Sequence, residues 1–274
     1  MNDLKVKEII TRSYISPSKL PGYDYVINPY VGCAHACIYC YAEFMKRFSN
    51  HDEPWGTFTD VKVRSTCAKM ADLRHQQVFL SSVTDCYNPL EAKYRLTRRL
   101  LEHLQYSGAH ITLLTKSDLV LQDLDLLTKI PDIRVGFSIQ SLDEEFCKKT
   151  EPNAPSVSKR INALKTLHEN NIKTWVHISP IFPQLSDWQS VVQATRAYAD
   201  SFSFENLKLR AAPLARVLLY ITQHQPHLKE LYQQIYVAKE GTYWKNLRKE
   251  ILKFCNEQQL RAEVHFSEDE TPEK

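Results

Sequence analysis

Residues 28–42 read NPYVGCAHACIYCYA, and this stretch decides how the chain is read. It brings Cys33, Cys37 and Cys40 together at the spacing C-x3-C-x2-C. Three thiols are one short of a closed four-cysteine site. A cube of iron and sulfide takes one thiolate on each iron, so three cysteines leave one corner open to another ligand. Such a cluster is a chemical agent and not only an electron carrier. A zinc site here needs His35 as its fourth ligand. His35 lies between two of the cysteines, where its ring reaches the same ion poorly. The second, distant C-x2-C pair common in zinc sites does not occur in the sequence.

Outward from this loop, short apolar or β-branched runs alternate with amphipathic segments. Strands are expected at residues 25–28, 78–82, 111–115, 135–139, 174–178 and 203–209. Most are continuous apolar runs, as in a parallel sheet covered on both faces. Helices are expected at 91–105, 118–129, 156–170, 187–199 and 243–257, with Ser156 and Asp187 as N-caps. Six strand–helix units imply an α/β fold, a partial parallel (β/α)6 TIM-like barrel with a C-terminal helical extension. One domain over 1–274 is expected, its core at about 24–210 and the extension at about 211–274. In a barrel of this kind the loops after the strands build the active site. The three-cysteine segment follows the first strand. Thr84, Asp85 and Cys86 follow the second and Lys116 the third. Ser138 and Gln140 flank the end of the fourth, and His177 ends the fifth.

The chain has 274 residues, 43% hydrophobic and 24% charged, which is enough to bury a sizeable core. No run approaches eighteen apolar residues, so no membrane-crossing helix is expected. The opening MNDLKVKEII lacks the apolar stretch of a signal peptide, so a cytoplasmic location is expected. There, seven cysteines read as free, metal-bound or catalytic thiols. Cys67, Cys147 and Cys255 stand apart and read as packed thiols. The net charge of +3 permits nucleic-acid binding without arguing for it. Two basic stretches could track phosphates or form solvated faces: Tyr94 with Arg95, Arg98 and Arg99, and Lys245 with Arg248, Lys249 and Lys253. The acidic end, SEDETPEK, reads as a solvated tail.

C-x3-C-x2-C with Tyr39 before the last cysteine resembles the signature of the radical S-adenosylmethionine (SAM) enzymes. The longer words narrow the resemblance. NPYVGCAHACIYCYA, TDCYNPLEAKYRLTRRLLE, LLTKSDLVLQDLDLL, FSIQSLDEEF, EPNAPSVSKRINALKTLHENNIKT and SPIFPQLSD are similar to the spore photoproduct lyase-like group, also called DNA repair photolyase-like. They run from residue 28 to about 187. Within that group the chain resembles a mobile-pair branch, encoded beside a second radical SAM protein.

The resemblance implies a [4Fe–4S] cluster on Cys33, Cys37 and Cys40, and SAM bound at its open iron. An electron from a reductase, flavodoxin or ferredoxin then breaks a carbon–sulfur bond and leaves a 5′-deoxyadenosyl radical, which takes hydrogen from the substrate. It places Tyr39 on the adenine, Thr84 and Asp85 at the SAM amino group, and Lys116 at the carboxylate. Ser138 and Gln140 fall to the ribose or methionyl part. Arg160 matches a basic residue near SAM, or else a surface arginine. Spore photoproduct lyase returns hydrogen from a cysteine at the end of the second strand. This chain has Ser82 there, with Cys86 and Tyr87 a few residues on. An O–H bond is too strong to replace the thiol, which leaves Cys86 as the candidate donor, and Cys86 and Tyr87 as the expected catalytic residues. A nucleic-acid substrate is the first expectation. The alternatives are a peptide- or tRNA-modifying radical SAM enzyme, and a non-enzymatic metal-binding half of a two-protein complex.

Overall fold

The computed structural model describes residues 4–64 and 72–266. Cys67 and the acidic tail lie outside the described residues. In chain order the strands are β1 (Lys5–Thr11), β2 (Ile15–Pro17), β3 (Tyr25–Ile27), β4 (Tyr30–Val31), β5 (Phe58–Arg64) and β6 (Gln77–Leu80). Then come β7 (His110–Thr115), β8 (Ile133–Ser138), β9 (Lys173–Ile181), β10 (Ser201–Asn206) and β11 (Ala262–Val264). The α-helices are α1 (Glu91–Tyr94), α2 (Leu96–Leu104), α3 (Leu124–Leu127), α4 (Glu144–Thr150), α5 (Val157–Glu169), α6 (Trp188–Thr195), α7 (Ala211–His224), α8 (Lys229–Tyr236) and α9 (Thr242–Glu257).

The main sheet has the order β11-β10-β9-β8-β7-β6-β3-β2. From β3 to β11 every pairing is parallel, and β2 closes one edge antiparallel. The six expected strands are β3, β6, β7, β8, β9 and β10, so the partial parallel barrel stands. Its strands are apolar on both faces because helices cover one side and the barrel core fills the other. Val78, Leu80, Leu113, Val135, Phe137, Val176, Ile178 and Phe204 are fully enclosed. Ser156 caps α5 through Lys159 N–H, and Asp187 caps α6 through Ser190 N–H.

Four local expectations change. The helix expected over 91–105 is two helices, broken at Arg95 in a left-handed conformation (φ 51°). The segment expected over 118–129 begins as a 3-10 helix, Asp118–Asp123, before the short α3. The C-terminal extension is not purely helical: β11 returns to pair with β10, with Phe202 opposite Ala262. A second sheet, β1-β5-β4, packs behind the cysteine loop. Its outer strand reads KVKEIIT and is mostly exposed, so it carries little apolar signal.

Candidate active site

The cysteine loop leaves β4 at Gly32 and is held by backbone bonds from every side. Ala36 N–H donates to Cys33 O (3.3 Å) and Cys40 N–H to Cys37 O (3.2 Å). Ile38 N–H donates to Thr150 O (3.0 Å), Asn153 N–H to His35 O (3.2 Å), and Arg216 Nε to Ile38 O (3.0 Å). Thr84 hydroxyl donates to Gly32 O (2.7 Å). Two glycines permit the fit. Gly32 (φ +84°) lies so close to Phe58 that a Cβ would stand 2.6 Å from its carbonyl. Gly56 (φ +92°) presses on the cysteine turn, where a Cβ would meet Ala36 Cβ at 2.5 Å. The accessory sheet and the segment before it thus form the back wall of the loop, which sequence reasoning missed.

Cys33 and Cys37 are buried and Cys40 is partly so. Burial raises all three thiols, Cys33 to about 12. A buried thiolate is costly alone and needs cations beside it. Among the described residues no three His, Cys, Asp or Glu side chains converge tightly enough to share one metal ion. Three thiols suit a cube, which offers each of them a separate iron and leaves one corner open. His35 Nδ1 faces Asp85 at 3.4 Å, and its buried Nε2 has no hydrogen-bond partner. The donor set therefore fits an iron–sulfur cluster. Trp55 packs in one apolar group with Cys33 and Cys40. Its buried indole N–H has no hydrogen-bond partner and lies near Cys40.

Beside the loop lies a buried charge network. Glu151, at the C-terminus of α4, is the hub. Arg160 pairs with it at 2.5 Å, Lys116 Nζ lies 3.8 Å away, and Tyr39 hydroxyl donates to it. Burial pushes Glu151 upward, but Arg160 and Lys116 outweigh it and hold the carboxyl below the ordinary range. Lys116 also sits over the Tyr39 ring (5.8 Å), and Phe182 packs edge-on to that ring (5.6 Å). Two cations share the Glu151 carboxylate, which leaves Lys116 loosely paired at 3.8 Å and able to take an anionic ligand group. Arg160 is 1% exposed and also donates to Ser138 O and Pro155 O (3.0 Å each). It is an interior residue, not a surface arginine. Glu151 was missed from the sequence. A carboxylate closing a helix is disfavoured by the macrodipole, and that was the available signal.

Asp85 is already well engaged. It accepts from Thr115 hydroxyl (2.7 Å), Lys116 N–H (2.8 Å) and Tyr87 N–H (2.9 Å), besides facing His35. It ties the ends of β6 and β7 to the cysteine loop. Ser138 hydroxyl donates to Ser179 O (3.0 Å). Gln140 Nε2 donates to Thr150 (2.7 Å), while its buried Oε1 has no partner. Cys86 and Tyr87 are fully enclosed. Cys86 N–H donates to Ser81 and its carbonyl accepts from Thr97, while Tyr87 hydroxyl donates to Asp123. These contacts give both a packing position and provide no support for direct roles in the reaction. His177 is satisfied by Ser203 (2.7 Å) and Glu205 (3.4 Å). Cys147 and Cys255 are packed thiols. Arg95 and Arg98 are spent on Asp123 and Asp125, and Lys253 lies beside Glu257.

The radical SAM superfamily profile matches residues 27–192. An uncharacterized protein of Methanocaldococcus jannaschii is 39% identical over 230 residues, covering 83% of this chain and 86% of that one. One from Mycobacterium tuberculosis is 26% identical over 248 residues, covering 84% and 72%. Among solved structures, spore photoproduct lyase complexed with dinucleoside spore photoproduct shares the fold at TM-score 0.65 and 15% identity. That match covers 96% of this chain and 82% of that one. Streptococcus suis SuiB bound to S-adenosylmethionine shares it at TM-score 0.55 and 14% identity, covering 88% and 49%. No described helix is long and apolar enough to cross a membrane. The chain belongs to the radical SAM superfamily, enzymes that carry an iron–sulfur cluster, bind SAM and generally need an electron donor.

Proposed function

We propose that the chain holds a [4Fe–4S] cluster on Cys33, Cys37 and Cys40 and cleaves SAM reductively, directing the 5′-deoxyadenosyl radical at a hydrogen of a nucleic-acid substrate. The observation that carries this reading is the pairing of three buried thiols with the adjacent buried charge network of Lys116, Arg160 and Glu151. Bound cluster and SAM supply the electron transfer and the bond cleavage. The chain supplies position. Lys116 pairs with the SAM carboxylate, and Arg160 keeps Glu151 ionised so that Tyr39 and Lys116 stay fixed. Tyr39 offers its ring to the adenine. Asp85 and Thr84 stiffen the edge where the amino group sits. Gln140 Oε1 and Ser138 serve the ribose or methionyl part.

The nucleic-acid substrate is supported by the fold shared with spore photoproduct lyase, whose solved complex holds a dinucleoside photoproduct. Reversal of that photoproduct itself is not part of the proposal. Ser82 stands where a thiol is needed, and Cys86 is sealed in the core. A flavodoxin, ferredoxin or reductase supplies the electron, and the whole chain acts as one catalytic unit in the cytoplasm. The test is anaerobic reconstitution with iron and sulfide, followed by reductant and SAM. Release of 5′-deoxyadenosine is expected from the wild type and none from Cys37→Ala. Full release by the variant contradicts the proposal.

A further inference from the structure

Against the outer side of the cysteine loop lies a cavity of about 240 Å³. At roughly 30 Å³ per water, it has room for several water-sized groups. Gly32 and Met45 form its loop side, and Asn28, Ser16, Ser82 and Lys62 supply its polar wall. Among the described residues that line it there is no Asp or Glu.

Lys62 reaches in from β5. Its ammonium donates to Asn28 O (2.8 Å), which uses one of its three protons. Burial holds its pKa below the ordinary lysine value, and among the described residues no carboxylate offsets the cost. Asn28 is fixed: its amide donates to Ser82 Oγ (2.8 Å) and its Oδ1 accepts from Val83 N–H (3.0 Å). The Ser82 hydroxyl proton thus remains to be donated. The groups left over are therefore donors around one cation, a constellation for an oxyanion.

Position links this cavity to the chemistry. Gly32 precedes the first cluster cysteine. Tyr41, which follows the last, donates through its hydroxyl to Ser82 O. We propose that the cavity is a phosphate subsite, in which Lys62 and Ser82 hold a backbone phosphate of the substrate while the neighbouring nucleoside lies over the cysteine loop. This rests on the reading of the substrate as a nucleic acid. It also gives Ser82 a task other than hydrogen return.

The test is calorimetric titration of the anaerobic, cluster-loaded protein with pyrophosphate, with inorganic phosphate and acetate as parallel arms. Saturable pyrophosphate binding is expected, weakened at least tenfold in Lys62→Met and kept within a few-fold in Lys62→Arg. Ser82→Ala is expected to weaken it by a smaller factor and serves as the second variant should Lys62→Met fold poorly. No saturable heat in the wild type, or equal affinity in Lys62→Met, overturns the assignment. Acetate binding tighter than phosphate and pyrophosphate also overturns it, since the cavity then prefers a carboxylate. Release of 5′-deoxyadenosine from SAM by the wild type without substrate is scored separately. If that release fails while pyrophosphate still binds, the proposed function falls and the anion site stands.

Discussion

Glu151 joins Tyr39, Lys116 and Arg160, which are far apart in the chain. Removing its charge leaves Arg160 buried without a counter-ion. Glu151→Gln should therefore destabilise the fold by about 3–5 kcal/mol, read as a lower midpoint in chemical denaturation. Lys116 is different. Under the proposed function it pairs with the SAM carboxylate, so Lys116→Met should weaken SAM binding about tenfold or more, the loss of a charge-assisted contact of about 1.5–3 kcal/mol. Equilibrium binding of SAM to the loaded protein measures it. Trp55→Phe keeps an aromatic side chain and deletes the buried N–H near Cys40. Hydrogen bonds to cluster sulfurs help set reduction potential, so the potential in a redox titration should move negative. The three cysteines were legible because their spacing is local, within eight positions. Glu151, Trp55 and Lys62 were not. Each gains its meaning from residues brought beside it by other elements, and a lone Glu, Trp or Lys carries no spacing to read.

Among the elements, the loop depends on a wall it does not itself contain. Gly56→Ala places a Cβ against Ala36 at a left-handed φ. Strain of about 1–3 kcal/mol is expected, together with lower iron content after reconstitution, while Gly22→Ala, in open space, should retain normal iron. The short helix α1 carries another local cost. Glu91, with Tyr30 hydroxyl donating to it, is raised by burial from 4.5 to about 7. The folded state therefore holds its proton more tightly than the unfolded chain. The resulting stabilisation is full below pH 4.5 and is lost as pH rises through 7, a swing of about 3 kcal/mol. Glu91→Gln should flatten that part of the stability profile between pH 5 and 8, followed by urea midpoints. The strands of the barrel were legible because both faces are buried and their apolar runs are unbroken. The break at Arg95 and the 3-10 start at Asp118 were not, because the apolar spacing of 91–105 and 118–129 continues through both. Only tertiary contacts such as Arg95 with Asp123 and Gln122 show the turn.

At the scale of the molecule, the sheet stays open, with β2 at one edge and β11 at the other. The parallel core was readable from strand–helix alternation. Its edges were not, since β2 and β11 are three residues each, too short for a pattern, and at most partly buried. The small net charge is likewise no guide to a binding face. Part of the basic stretch on α2 is neutralised by Asp123 and Asp125, and the cation proposed to receive a phosphate, Lys62, comes from β5 instead. What unifies the chain is one loop of thiols clamped between the accessory sheet and the barrel mouth, beside the buried network of Lys116, Arg160 and Glu151. Low-temperature electron paramagnetic resonance of the anaerobically reconstituted, reduced protein, recorded with and without SAM, tests this most directly. The account expects about four irons per chain and a cluster signal that changes on adding SAM, with the change lost in Lys116→Met. A protein that retains zinc in place of iron, or a cluster signal indifferent to SAM, would contradict it.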